Sequence, residues 1–190
     1  MLNHLDDIYD FCASPGYFPP DQFPSGVAPL YGEITRGGVE NIIFNFTKQF
    51  QDPRTVFYDL GSGFGKMVMH VAVACPIRKA VGVEYIPERY LIATRESEKY
   101  NYRTQQPIEF INGDLRDTKF EAPAVVYIDN TSPEMRDLST SVYDRLPEGS
   151  LFLSRNLVAI RRLGLRDEAK SIIAPTTYKK DYEVWAAVKK

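Results

Sequence analysis

The stretch TVFYDLGSGFGKMVMHVAVAC, residues 55–75, decides the fold. It opens on an apolar run of strand length, TVFYDL (55–60), and closes on one of helix length, KMVMHVAVAC (66–75). Between them Gly61, Gly63 and Gly65 alternate with Ser62 and Phe64. Alternating glycines let a chain turn sharply from strand into helix and let a ligand lie close against the backbone. Two phosphate-binding patterns do not fit. A dinucleotide fingerprint spaced from Gly61 and Gly63 puts Lys66 where its third glycine belongs. A phosphate loop needs four residues between its glycines, whereas three separate Gly61 from Gly65, and Met67 follows the lysine.

Working outward, the pattern keeps alternating. Strands are expected at 79–85, 108–114 and 124–130, with helices at 88–103 and 133–146 between and after them. LPEGSLFLS (146–154) reads as a turn and strand, RRLGLRDEAKSI (161–172) as a short helix or loop, and IIAPTTY with YEVWAAVKK as a closing pair of strands. Strands separated by helical stretches imply right-handed crossovers and a mostly parallel sheet covered on both faces. The fold class is therefore α/β, doubly wound. Upstream, Val39, Ile42, Ile43, Phe46 and Phe50 recur at helical spacing, after Gly37 and Gly38 and before Asp52 and Pro53, and predict a helix over 39–50. Prolines at 15, 19, 20, 24 and 29, with Gly16 and Gly26 among them, predict an irregular arm after a short helix at 2–12. The chain thus divides into a proline-rich arm, 1–38, and one domain, 39–190.

Composition narrows the function. With 190 residues, 44% of them apolar, the chain can bury one full core. Its 23 basic and 25 acidic side chains exclude attachment to nucleic acid by bulk positive charge. Cys12, Cys75, His4 and His70 are too few for a Cys/His zinc site, so no metal is expected, and they suit a reducing compartment. MLNHLDDIYD lacks a basic-then-apolar signal pattern, so the reading is an intracellular, soluble chain. The near-neutrality hides a dipole: the segment 1–60 carries three basic and eight acidic side chains, the segment 155–190 nine basic and four acidic. Arg155, Arg161, Arg162 and Arg166 head that basic end and are expected to face an acidic partner.

Three acids stand at three successive strand ends. Glu84 follows Gly63 at about 20 residues, the offset at which a carboxylate meets the vicinal hydroxyls of a ribose. Asp59 ends the first strand and suits an amino group or the turn's own amides; Asp114 ends the third, with Leu115 beside it to offer an amide and an apolar face to a base. Together they favour one adenosine ligand without phosphates.

On these residues, YDLGSGFGK, VGVEY and INGDL, the chain resembles the class I methyltransferases that use S-adenosyl-L-methionine. The resemblance spans about 55–190. It implies a seven-stranded, Rossmann-like sheet with a closing antiparallel strand pair, and Tyr85 beside Glu84 as a further cofactor contact. Upstream, Tyr31-Gly32-Glu33-Ile34-Thr35 resembles the loop that closes over the cofactor in the Dot (disruptor of telomeric silencing) family of histone-lysine methyltransferases. Tyr31, Glu33 and Thr35 are then cofactor contacts, and Lys66 stands where that family has a polar contact to the methionine part. VVYIDN resembles the family's fourth-strand motif. Two positions depart from it: Ile34 replaces a threonine, with Thr35 one place on, and Asp129 replaces the first of two asparagines, leaving Asn130 as the second.

Methyl transfer to an amine asks a site to align the reacting atoms, exclude water and remove a proton. Tyr31, Thr35, Tyr127, Asp129 and Asn130 are the candidate catalytic residues, Asp129 as the group that orients the amine or takes its proton. Tyr31, Phe64, Tyr127 and Trp185 are candidates for an aromatic channel around the acceptor. The expected substrate is a protein lysine, possible partners being a histone or nucleosome met through the basic end. The rivals are methylation of RNA, of a small molecule or of another protein, and a non-catalytic cofactor-binding module. Asp129-Asn130-Thr131-Ser132-Pro133-Glu134 lacks the paired prolines and aromatic on which nucleic-acid amino methyltransferases stack a base.

Overall fold

A computed structural model describes residues 3–10, 33–101, 104, 106–129, 136–177 and 180–190. The loop at 61–65 joins β1 (Val56–Leu60) to α4 (Lys66–Ala74). Ahead of them lie α1 (Asn3–Asp10), α2 (Arg36–Asn45) and α3 (Thr47–Phe50). After them come β2 (Lys79–Glu84), α5 (Pro87–Asn101), β3 (Ile108–Asn112), β4 (Ala124–Ile128), α6 (Arg136–Arg145), β5 (Leu151–Ser154), α7 (Leu157–Arg162), β6 (Lys170–Ile173) and β7 (Glu183–Val188). One seven-stranded sheet results, in the order β3-β2-β1-β4-β5-β7-β6, with β7 antiparallel to both neighbours and the other pairings parallel. This is the doubly wound architecture with a closing antiparallel pair that the alternating pattern implied.

Side-chain parity splits the core in two. Phe57, Val125, Tyr127, Leu153 and Ala186 face α2 and α4, whereas Val56, Tyr58, Leu60, Val126 and Ile128 face α6 and α7. Each layer buries strand residues on one side and an apolar helix stripe on the other, which is what stabilises a sheet covered on both faces. The crossover from β3 to β4 departs from this scheme: it holds only a single 3-10 turn, Leu115–Asp117.

The region of the predicted helix at 39–50 differs in two ways. It begins at Arg36, so Gly37 and Gly38 lie in its first turn and the arm's boundary at 38 falls inside a helix. Thr35 caps this helix, its hydroxyl accepting from the Gly38 amide at 3.2 Å. A Cβ at Gly38 would sit 2.6 Å from the Pro175 carbonyl oxygen, so glycine here serves close approach. The helix then breaks at Phe46, which has φ −125° and ψ 35°. The Asn45 amide donates to the Asn41 carbonyl, and the Thr47 hydroxyl to that of Phe44, local bonds that compete with helix continuation.

In the arm, α1 sets Leu5 and Ile8 against Met69 and Tyr100. Tyr9 meets the buried His70 ring, with 2.8 Å between its hydroxyl and Nδ1. Burial holds the His70 pKa down to about 4. The arm residues Cys12, Tyr17, Phe18 and Phe23 lie outside the described residues, as do Tyr31 and Asn130. Among the described residues no helix is long and apolar enough to cross a membrane.

Candidate active site

The turn after β1 runs Gly61, Gly63 and Gly65 at φ 85°, 56° and 77°, a conformation that L side chains rarely adopt. Gly65 is required twice over, since a Cβ there would stand 2.3 Å from the Phe110 ring. Behind the turn, the Glu84 carboxylate accepts from the Gly63 amide at 2.7 Å and from the Ile86 amide at 2.9 Å. It is buried, so these two bonds hold the carboxylate at the end of β2 and the glycine turn in a fixed relation. Tyr85 is half exposed beside it.

Parallel register puts Asp59 at the end of β1 opposite Tyr127 of β4. Both face α4, and Asp129, two residues on, continues that face beyond the strand. One cavity gathers Glu33, Asp59, Gly61, Gly63, Lys66, Tyr127 and Asp129, together with Ile34, Ser62 and Met67. Seven predicted site positions thus meet at the point where the strand order reverses, which is where open parallel sheets bind ligands. Phe64 and Trp185 do not line it. Phe64 is buried, and Trp185 lies on the α6 and α7 face, because β7 turns Val184 and Ala186 toward the other layer.

Electrostatics single out two acids. Burial lifts the Asp59 pKa from 3.8 to about 8, with the charges of Asp129 and Glu84 adding to it. Burial raises the Asp129 pKa too, opposed by the charge and hydrogen bond of Arg155. The Tyr127 hydroxyl is raised well above its ordinary value, first by burial and then by Asp129.

Arg155 corrects an expectation. Charge counting groups it with a solvent-facing basic end, but its side chain is fully buried and ion-paired to Asp129. Its guanidinium stacks on the Tyr182 ring, 3.2 Å from the centroid. Arg161 and Arg166 are exposed, and Arg162 pairs with Asp137. The available signal was position: Arg155 directly follows β5, at the carboxyl end of the parallel strands, where site residues collect.

The loop ahead of α2 closes the other wall. Lys66 binds Glu33 at 2.7 Å, both largely buried. Thr35, expected to contact cofactor or acceptor, has its hydroxyl engaged with the Pro175 carbonyl at 3.1 Å and the Gly38 amide. Ile34 bridges antiparallel to Thr176, and the Thr177 amide donates to the Glu33 carbonyl at 2.9 Å. Asp114 caps the 3-10 turn through the Arg116 amide and pairs with the Arg116 guanidinium, whose hydrogen bond holds its pKa down. It lies on the wall of a separate cavity of about 300 Å³ beside β2 and β3, and Leu115 packs against the α6 and α7 layer.

The donor set fits S-adenosyl-L-methionine. A glycine turn without a phosphate loop's lysine spacing, a fixed carboxylate at ribose offset and shielded acids suited to a cation match its uncharged sugar, amine and sulfonium.

Known proteins bear on this geometry. Two carboxy-S-adenosyl-L-methionine synthases are similar over most of the chain. The one from Shewanella piezotolerans is 27% identical over 170 residues, 83% of this chain and 69% of its own length. The one from Klebsiella pneumoniae is 27% identical over 165 residues, 80% and 66%. For a third, from Shewanella halifaxensis, the chain spans 61% of the relative's length. Among solved structures, an RNA methyltransferase from Salinibacter ruber bound to S-adenosyl-L-homocysteine superposes with TM-score 0.60 at 17% identity, over 82% of this chain and 92% of that one. A precorrin-6y C5,15-methyltransferase from Geobacter metallireducens gives 0.60 at 14% identity, over 93% and 98%. These likenesses establish the fold. The model of the family described as histone methylation protein DOT1 matches residues 10–136. Having the class I, S-adenosyl-L-methionine-binding methyltransferase fold and matching that family over two thirds of its length, the chain belongs to the DOT1 family.

Proposed function

We propose that this S-adenosyl-L-methionine-dependent methyltransferase acts on an alkyl amine, the side chain of a protein lysine being the acceptor that fits best. The observation that carries the reading is the Asp129 carboxylate, partly buried beyond the end of β4 on the same cavity wall as Asp59 and Tyr127. A carboxylate whose proton affinity is raised by burial attracts an ammonium group and accepts a proton from it. Tyr127 lines the same cavity, and an aromatic ring there would desolvate an amine and tolerate its cation. Glu33 and Lys66, tied to each other, shut the opposite side against water. Gly61, Gly63, Asp59 and Glu84 would hold the cofactor, with Tyr85 beside Glu84 toward its base. When bound, S-adenosyl-L-methionine supplies an electrophilic methyl group on a sulfonium. Exposed Arg161 and Arg166 offer charge for an acidic partner such as a nucleosome.

A second reading is favoured by the curated relatives, whose names give a small-molecule product, carboxy-S-adenosyl-L-methionine. In that reading the acceptor is a small molecule rather than a protein.

Tritiated S-adenosyl-L-methionine, incubated with histones, nucleosomes, small amines, RNA and whole lysate, separates these readings. Label on a lysine nitrogen, identified by mass spectrometry and lost in Asp129→Asn, supports the proposal. Label confined to RNA, or formation of carboxy-S-adenosyl-L-methionine without amine methylation, overturns it.

A further inference from the structure

Asp129 lies beyond β4, where no strand pairing fixes it. Its partner Arg155 is a buried cation, and a buried cation is costly unless something beyond its counter-ion supports it. One such support is the Tyr182 ring, over which the guanidinium stacks. Tyr182 belongs to the connection between β6 and β7, residues 174–182. The other end of this connection grips the loop ahead of α2: Pro175 takes the Thr35 amide at 2.9 Å, Thr176 bridges Ile34, and Thr177 binds Glu33. The two stretches 174–177 and 180–182, joined by the Ala174 amide donating to the Tyr182 carbonyl at 2.7 Å, therefore reach two lining residues of the cavity, Glu33 directly and Asp129 through Arg155.

We infer that Arg155 and Tyr182 are positioning residues, which hold the Asp129 carboxylate in its place on the acceptor wall and, through the bond between Tyr182 and Ala174, link that place to the closing loop gripped by residues 175–177. This rests on the proposed role of Asp129 in receiving an amine. Tyr182 acts through its ring, as the plane that keeps the guanidinium directed at the carboxylate. Its hydroxyl is not needed for that.

The other charged and titratable groups around Asp129 set its background: Asp59 on β1, Tyr127 on β4, and the paired Glu33 and Lys66 across the cavity. Asp59 feels the charge of Asp129, and Tyr127 feels both Asp129 and Arg155, so the contrast between Tyr182→Leu and Tyr182→Phe is what isolates the ring's support of the guanidinium.

The test needs no acceptor. Carboxyl carbons of [¹³C]aspartate-labelled protein are titrated by NMR, with Asp129 assigned by its loss in Asp129→Asn. Tyr182→Leu should raise the Asp129 midpoint by about half a pH unit or more, and Tyr182→Phe should leave it unchanged. Arg155→Met should raise it by at least one unit, a tenfold change in proton affinity. Should Arg155→Met fail to fold, the two Tyr182 variants decide alone. An unmoved midpoint in Tyr182→Leu, or an equal shift in Tyr182→Phe, overturns the assignment. The same variants are then assayed for methyl transfer from tritiated S-adenosyl-L-methionine to histones across pH. A midpoint shift without amine methylation in the parent keeps the positioning role and sinks the amine reading. Amine methylation in the parent with no midpoint shift does the reverse.

Discussion

Replacing Asp59 by asparagine should stabilise the ligand-free protein while weakening its hold on the cofactor. Asp59 is 5% exposed, and its pKa is lifted from 3.8 to about 8, chiefly by burial. An acid whose folded pKa is raised contributes stability that is complete below the unfolded value and is lost as pH climbs toward the folded one. The loss therefore accumulates between pH 3.8 and about 8. Each unit is worth about 1.36 kcal/mol, so by pH 7 the term is bounded at about 4 kcal/mol. Local relaxation and water around the carboxyl reduce this to about 2 kcal/mol. For a chain of this size that is about 4–8 °C in Tm. Asparagine keeps the shape and drops the charge, so the variant's advantage should be absent at pH 4, clear at pH 7 and largest at pH 9. Urea denaturation of both proteins at the three pH values measures it, and calorimetric titration with S-adenosyl-L-methionine reads the matching loss of affinity. A variant less stable than the parent at pH 9, or a difference that does not change with pH, would refute the reasoning. The trade is the usual one at a binding site, where an acid costly to folding is kept for its ligand.

Gly65→Ala should destabilise by about 2–4 kcal/mol, because its Cβ runs into Phe110 and its φ is left-handed. Gly61→Ala, with open space around it, should cost only about 1 kcal/mol in the same urea series. Lys66→Met leaves Glu33 buried without its cation and should cost about 3 kcal/mol, part of which returns in the double variant Lys66→Met/Glu33→Leu. If the double variant is no better than the single one, the pair is not the cause. Glu84→Ala removes a charged acceptor from two amides and should cost about 2–3 kcal/mol in stability. It should also lower S-adenosyl-L-homocysteine affinity more than tenfold, whereas unaltered affinity would remove Glu84 from the cofactor site.

What the sequence disclosed was local. The glycine turn, the Glu84 offset and the alternation of strands and helices are each written within one strand-helix-strand unit, and the sheet follows from them. The helix break at Phe46 is hidden because apolar spacing records which face is buried, not which Asn or Thr withdraws a backbone carbonyl. Trp185 attracts attention as an aromatic, yet its position in β7 sends it to the opposite layer. Arg155 is the larger departure, since charge counting treats every arginine as solvated while only the fold reveals that Asp129 and Tyr182 enclose it. The grip of residues 175–177 on the closing loop has no sequence signal: Thr35 and Pro175 are 140 positions apart.

That separation has a meaning for a chain still being made. At about 5–20 residues per second, roughly 7–28 seconds pass between the emergence of Thr35 and that of its partner Pro175. β7, which fills the gap between β5 and β6, arrives later still. Until then β5 is a bare edge, Asp129 has Arg155 without its aromatic support, and Glu33 lacks its backbone partner. Closure of the loop ahead of α2 thus waits for residues made well after it, and the growing chain has most need of protection against edge-to-edge pairing before β7 arrives.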